Sequence, residues 1–147
     1  MDIVYHQRTK RSELNFKFYE SLIDMAKDCE ILVAIIPGGE TTEKIIDERV
    51  IEAIGPTGLL VNVARGTVID NEALARCLKD GRLGRAALDV FPNEPTVPES
   101  LLEIDTNLIL TPHMASATHL TRMKMGMILY DNLVALRDGT PFKTPVN

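Results

Sequence analysis

The sequence predicts an α/β fold built on a parallel sheet, and three observations point to it. Short β-rich runs alternate with amphipathic stretches of helical period. The run ILVAII at residues 31–36 is unbroken and apolar, as a strand buried on both faces would be. Apart from Gly126 in the last segment, prolines and glycines fall between these segments rather than inside them. At 147 residues and 45% hydrophobic content, one globular unit with a real core is expected.

Taken in order, residues 3–5 read as a strand that runs into a polar, basic stretch at 6–11. Ser21 can cap a short helix whose Leu22, Met25 and Ala26 share one face. The strand at 31–36 ends at Pro37, Gly38 and Gly39, and residues 43–54 have a helical pattern. Pro56 and Gly58 turn the chain into a strand at 59–63, followed by the turn Arg65-Gly66. Asp70 is placed to cap a helix through Leu74 and Leu78, with Gly81 as its stop. Two more strands are expected at 86–90 and 108–110, separated by a loop that Pro92 and Pro98 mark. A final helix over about 118–136 places Leu120, Met123, Met127, Tyr130 and Leu133 near one face, which predicts core packing. There is no internal repeat and no linker dividing the chain.

Composition excludes several classes of function. A formal net charge of −5 does not suit a chain that must neutralise nucleic-acid phosphates. Cys29 and Cys77 have no CxxC spacing and no pair of histidines nearby, so they read as buried small hydrophobes and no metal site is expected. The first residues are charged where a signal peptide is apolar, and the longest aliphatic run is too short to span a bilayer. A cytoplasmic protein with no membrane partner is the expectation.

In an open parallel sheet, ligands bind outside the carboxyl ends of the strands. Three predicted strands run there into ionisable residues: Arg65 after 59–63, Glu94 after 86–90 and His113 after 108–110. Together these suit reduction of a 2-oxo acid. An arginine fork anchors a carboxylate, which lysine cannot match. An imidazole that titrates near neutrality gives a proton to the ketone oxygen as hydride arrives at carbon. A carboxylate such as Glu94 favours the imidazolium and orients the ring.

The segments that hold these residues, LLVNVARGTVID, AALDVFPNEP and LILTPHMASAT, resemble three signature segments of the D-isomer-specific 2-hydroxyacid dehydrogenases. Within that family, NEPTVPESL and PHMASATHLTRMKMG look most like glyoxylate/hydroxypyruvate reductases. The resemblance implies catalytic roles for Arg65, Glu94 and His113. It further implies that Asp89 lies beside the nicotinamide carboxamide, and that Val63, Ala64, Arg65 and the turn His113, Ala115, Ser116 line the cleft, with Pro37 touching cofactor. Formate dehydrogenases of the same family carry glutamine where Glu94 stands, which argues against that activity. A corepressor-like interaction module on the same fold is the alternative reading.

Where NAD-specific dehydrogenases place an acid after the first of these strands, this chain has Tyr5, His6, Gln7, Arg8 and Thr9. Arg8 and a hydroxyl suit a 2′-phosphate, so NADP(H) is favoured over NAD(H). The nine glycines include no GxGxxG. The expectation is therefore an incomplete Rossmann-type doubly wound sheet over 1–147, with about 112–147 forming the cleft loop and a C-terminal helix returning to the substrate domain. The resemblance puts the glycine-rich strand between those at 3–5 and 59–63. Without it, either those strands close the gap or unpaired backbone is left. On this reading the chain is a fragment of impaired activity, needing a missing N-terminal segment, and the family implies a homodimer acting on a small 2-oxo or 2-hydroxy acid.

Overall fold

Every apolar run predicted as a strand forms one in the computed structural model, which describes residues 1–145. Among these residues β1 (Val4–His6) pairs in parallel with β2 (Lys17–Tyr19). A separate parallel sheet has the order β3 (Ile31–Ala34), β4 (Leu59–Asn62), β5 (Arg85–Leu88), β6 (Leu108–Leu110). The gap does not lie beside the strand at 59–63 as expected, because β4 is paired on both sides, with β3 and with β5; β1 and β3 are left with open edges, each with a neighbour on one side only within its sheet. The chain divides into two compact units, the first spanning Met1–Pro112 and the second beginning at His113.

Helix starts follow side-chain chemistry. Ser21 accepts from the Asp24 amide at 3.2 Å to open α1 (Leu22–Asp28), and Asp70 accepts from Ala73 at 3.1 Å to open α3 (Asn71–Lys79). Gly81 adopts φ 69° just beyond α3, the left-handed geometry that suits glycine. The helix expected over 43–54 starts later. Ile46 bridges Ile69 as extended backbone, and α2 (Glu48–Ile54) begins only after Asp47 caps the Val50 amide at 3.1 Å. Backbone bonds from Lys44 to Thr67 and from Ile46 to Val68 compete with helix there.

Val50, Ile51 and Ile54 of α2 and Leu74 and Leu78 of α3 form one core with Leu32, Leu60, Ala86 and Leu88 of the sheet. A short helix, α4 (Glu99–Leu102), adds Leu101. The register aligns Leu32, Leu60, Ala86 and Leu108 in a row on the core side, and Val33, Val61, Ala87 and Ile109 on the other. On that second face Val33 is 48% and Ile109 65% exposed. Burial of 31–36 on both faces therefore does not hold. The run is apolar throughout, but its side chains alternate, and only one set meets the core.

The second unit holds α5 (His119–Asp138), capped by Thr118 and closed by Gly139 at φ 65°. Its expected packing face is also corrected: Leu120, Met123, Met127, Tyr130 and Leu133 are 53–61% exposed, and Ala135 is the buried residue of the helix. Apolar residues are spread around its circumference, at 128 and 129 as well as at the predicted positions, so no single stripe turns inward. Among the described residues no helix is long and apolar enough to cross a membrane.

Cys77 is fully buried and Cys29 half-buried, and burial pushes both thiols up. Cys77 lies close to Glu48 and Glu52, but Arg82 binds both of those carboxylates. Hydrogen bonds from Arg82 and Arg76 hold Glu48 below the usual carboxylate range. Burial raises Asp47 and Asp70, yet the capped amides of Val50 and Ala73, with Arg49 and Lys44, bring both below it. A carboxyl depressed in the folded state stabilises fully above its unfolded pKa and loses that contribution as pH falls through the folded value. The urea midpoint should therefore hold above about pH 5 and drop as the pH falls below the ordinary carboxylate range of about 4. In a variant with Glu48→Gln, Asp47→Asn and Asp70→Asn, which keeps capping oxygens, the drop should flatten; an equally steep drop would contradict this origin.

Candidate active site

The loop after β4 is fixed from both sides. Asn62, the last residue of β4 and 1% exposed, donates through Nδ2 to the Arg65 carbonyl at 3.0 Å and accepts at Oδ1 from the Ala64 amide at 3.0 Å. Beyond it, Asn71 donates through Nδ2 to the carbonyls of Gly66 and Ile69, both at 3.1 Å. The Arg65 stem lies on Gly38, where an added Cβ would meet Arg65 Cγ at 2.7 Å, and its Nη1 donates to the Ala64 carbonyl at 2.6 Å. Val63 is 41% exposed while Ala64 is buried.

Gly66 joins this turn to the loop after β5. A Cβ at Gly66 would stand 1.9 Å from the Phe91 carbonyl carbon and 2.3 Å from the Pro92 nitrogen. Glu94 closes that loop, its Oε1 accepting from the Phe91 amide at 3.0 Å. Asp89 is buried at the end of β5 and accepts from the Thr111 hydroxyl at 2.5 Å, while its own amide donates to the Asn62 carbonyl at 3.0 Å. A buried carboxylate needs such partners. The ends of β4, β5 and β6 are thereby tied together through Asn62, Asp89 and Thr111.

His113 follows Pro112 and opens the second unit, exposed and with φ 50°. Left-handed backbone is uncommon for a residue with a side chain, though histidine adopts it more readily than most. Ala115 and Ser116 are exposed in the turn that follows, which the Ala117 amide closes on the Met114 carbonyl at 2.8 Å.

A separate cavity of about 770 Å³ lies in the first unit, lined by His6 at the end of β1, by Gln7, Arg8 and Thr9 after it, and by Leu32, Val33, Ala34 and Pro37 along and beyond β3. Arg8 donates to the Thr41 hydroxyl at 3.2 Å, Gln7 to the Thr9 carbonyl at 2.5 Å, and the His6 ring Nδ1 to the Tyr19 carbonyl at 2.9 Å. Thr42 shapes the Pro37 side by donating to the Pro37 and Gly39 carbonyls. Tyr5 lies outside the lining; its ring packs on Phe18 with centroids 5.2 Å apart, and its hydroxyl bonds the Arg11 backbone. Val63, Ala64 and Asp89 are outside it as well.

Asn62, Asn71, Thr111 and Thr41 are the site residues that reading the sequence missed. For Asn62 a signal existed, since an amide ending the apolar run LLVN must be bonded if buried.

Residues 1–115 match the family model described as the NAD binding domain of D-isomer specific 2-hydroxyacid dehydrogenases. A glyoxylate/hydroxypyruvate reductase A of Arabidopsis thaliana is 41% identical over 144 residues, covering 98% of this chain and 46% of the relative. A hydroxyphenylpyruvate reductase of Plectranthus scutellarioides is 42% identical with the same coverage. Among solved structures, an NADPH-dependent glyoxylate/hydroxypyruvate reductase of Sinorhizobium meliloti, in complex with NADP and malonate, superposes with a TM-score of 0.87 at 43% identity, covering 99% of this chain and 45% of that one. The chain spans less than half the length of these relatives.

Proposed function

This chain belongs to the D-isomer specific 2-hydroxyacid dehydrogenase family, and on that premise we propose that it carries the catalytic loops and part of the cofactor cleft of an oxidoreductase. The reaction is hydride transfer between NADP(H) and a small 2-oxo acid such as glyoxylate or hydroxypyruvate, giving the D-2-hydroxy acid. The observation that carries the reading is the seating of the Arg65 turn on the loop that bears Glu94, through Gly66 against Phe91 and Pro92 at the carboxyl ends of adjacent parallel strands. Arg65 is the anchor of the substrate carboxylate, His113 the group that delivers the proton to the ketone oxygen, and Glu94 the carboxylate that favours its charged form. Asp89, held by Thr111, is assigned to the nicotinamide carboxamide, with Val63, Ala64, Ala115 and Ser116 as cleft residues.

The residues present fit the phosphate-bearing adenosine end of a dinucleotide. Arg8, Thr9 and Thr41 put a guanidinium and two hydroxyls around one cavity, and residues 5–11 contain no acid to repel a 2′-phosphate. When bound, the nicotinamide would supply the hydride; Arg8 and Thr9 would hold the far phosphate, with His6, Gln7 and Pro37 lining the site. Calorimetric titration of the chain with NADPH and NADH tests this. We expect NADPH to bind about tenfold more tightly or better, a difference of about 1.4 kcal/mol, and Arg8→Ala to erase the difference. Equal affinities would overturn the preference, and NADPH binding that Arg8→Ala leaves unchanged would overturn the cofactor assignment of this cavity.

A further inference from the structure

We propose that Asn62 and Asn71 are positioning residues for Arg65, a pair of buried amides that clamp the main chain around it so that the guanidinium is presented at a fixed place. This rests on the reading of Arg65 as the carboxylate anchor. Residues 64, 65 and 66 are consecutive, and each has a main-chain polar group held by one of the two side chains: the Ala64 amide and Arg65 carbonyl by Asn62, the Gly66 carbonyl by Asn71. Asn71 reaches the turn from the first residue of α3, and Asn62 from the last residue of β4, so the turn is held from two elements of the core.

Neither side chain is there for cheap packing. Asn62 is 1% and Asn71 8% exposed, and an apolar residue of similar size would avoid the desolvation that a buried amide incurs. Both side chains bond main-chain groups within the short stretch from 64 to 69, which is what fixing a local backbone requires. Gly66 against Phe91 and Pro92 blocks outward movement of the turn, while the two asparagines restrict its rotation. Arginine's bidentate grip on a carboxylate depends on direction, and displacements near 1 Å are enough to weaken catalysis about a hundredfold.

The test reads Arg65 itself. In ¹⁵N relaxation measurements on the folded chain, Asn62→Ala and Asn71→Ala should each lower the order parameter of the Arg65 Nε–H by about a third or more. Ile51→Val, a core substitution in α2, should lower the urea midpoint and leave Arg65 order unchanged. Should an alanine variant fail to fold, Asn62→Asp keeps the acceptor for the Ala64 amide and sets a carboxylate oxygen against the Arg65 carbonyl in place of the donor, and Asn71→Ser serves at the other position. Unchanged Arg65 order in folded variants at both asparagines overturns the proposal. In the reductase assay Asn62→Asp should raise KM for the 2-oxo acid about tenfold with a smaller change in kcat. If Arg65→Ala leaves that KM unchanged while the order measurement behaves as expected, the anchor reading fails and the clamp stands.

Discussion

Gly66→Ala is expected to destabilise the first unit by about 3 kcal/mol or more, seen as a collapse of the urea midpoint. The new methyl would stand 1.9 Å from the Phe91 carbonyl carbon, 2.4 Å from its Cα and 2.3 Å from the Pro92 nitrogen. All three are backbone atoms, so no rotamer change relieves the overlap; either the Arg65 turn or the loop from 91 to 94 must leave its place. Moving the turn breaks the bonds of Asn62 and Asn71, and moving the loop breaks the bond from the Phe91 amide to Glu94. Gly38→Ala provides the contrast. Its nearest neighbour would be Arg65 Cγ, a side-chain atom that can swing aside, so stability should change little while the arginine is displaced. A Gly66→Ala protein with an unchanged midpoint would mean that the two loops are not seated on each other in solution.

The second large effect is kinetic and separates the two charged groups by the parameter each controls. His113→Ala should lower kcat for 2-oxo acid reduction by about 10²- to 10⁴-fold, because proton delivery occurs in the transition state. Arg65→Ala should act mainly on KM, by about a hundredfold, because a carboxylate is held equally in the ground and transition states. Arg65→Lys should recover little of that loss, since an ammonium cannot offer two parallel donors. Steady-state kinetics with glyoxylate and with hydroxypyruvate provide the check. Wild-type rates in both His113→Ala and Arg65→Ala would rule out the proposed roles and favour an interaction module on the same fold.

The fold was legible where apolar patterning and turn chemistry agree. Five strands and the caps Ser21 and Asp70 follow from local sequence, because each is decided within a few residues. β2 was not legible: Lys17, Phe18 and Tyr19 are too few to show a period, and what makes them a strand is pairing with Val4, Tyr5 and His6. Residues 43–46 have a helical pattern but bond to residues 67–70, a long-range choice that periodicity cannot register. The exposure of Val33 and Ile109, and of the α5 methionines, was hidden for the opposite reason: apolar composition says what a side chain prefers, and not whether this chain supplies a surface to meet it. At the proposed site, Arg65, Glu94 and His113 stand out in the sequence because charged groups at strand ends have distinctive chemistry. Of the asparagines that hold Arg65, Asn62 carried a signal by ending an apolar run, but which peptide groups either amide binds depends on how the chain folds around it.

The open edge of β3 sets a clock within a single strand. The carbonyls of Glu30 and Ala34 accept from Leu59 and Val63 of the neighbouring chain segment, at 2.9 and 3.4 Å, so the peptide groups of even-numbered residues face β4. Those of Ile31, Val33 and Ile35 point the other way, toward the side on which β3 has no partner strand. In deuterated water, an amide of the second set can trade its proton while the strand stays docked, whereas Leu32 and Ala34 must wait until β3 parts from β4. These five consecutive residues therefore report two different events, one local to the edge and one that opens the core.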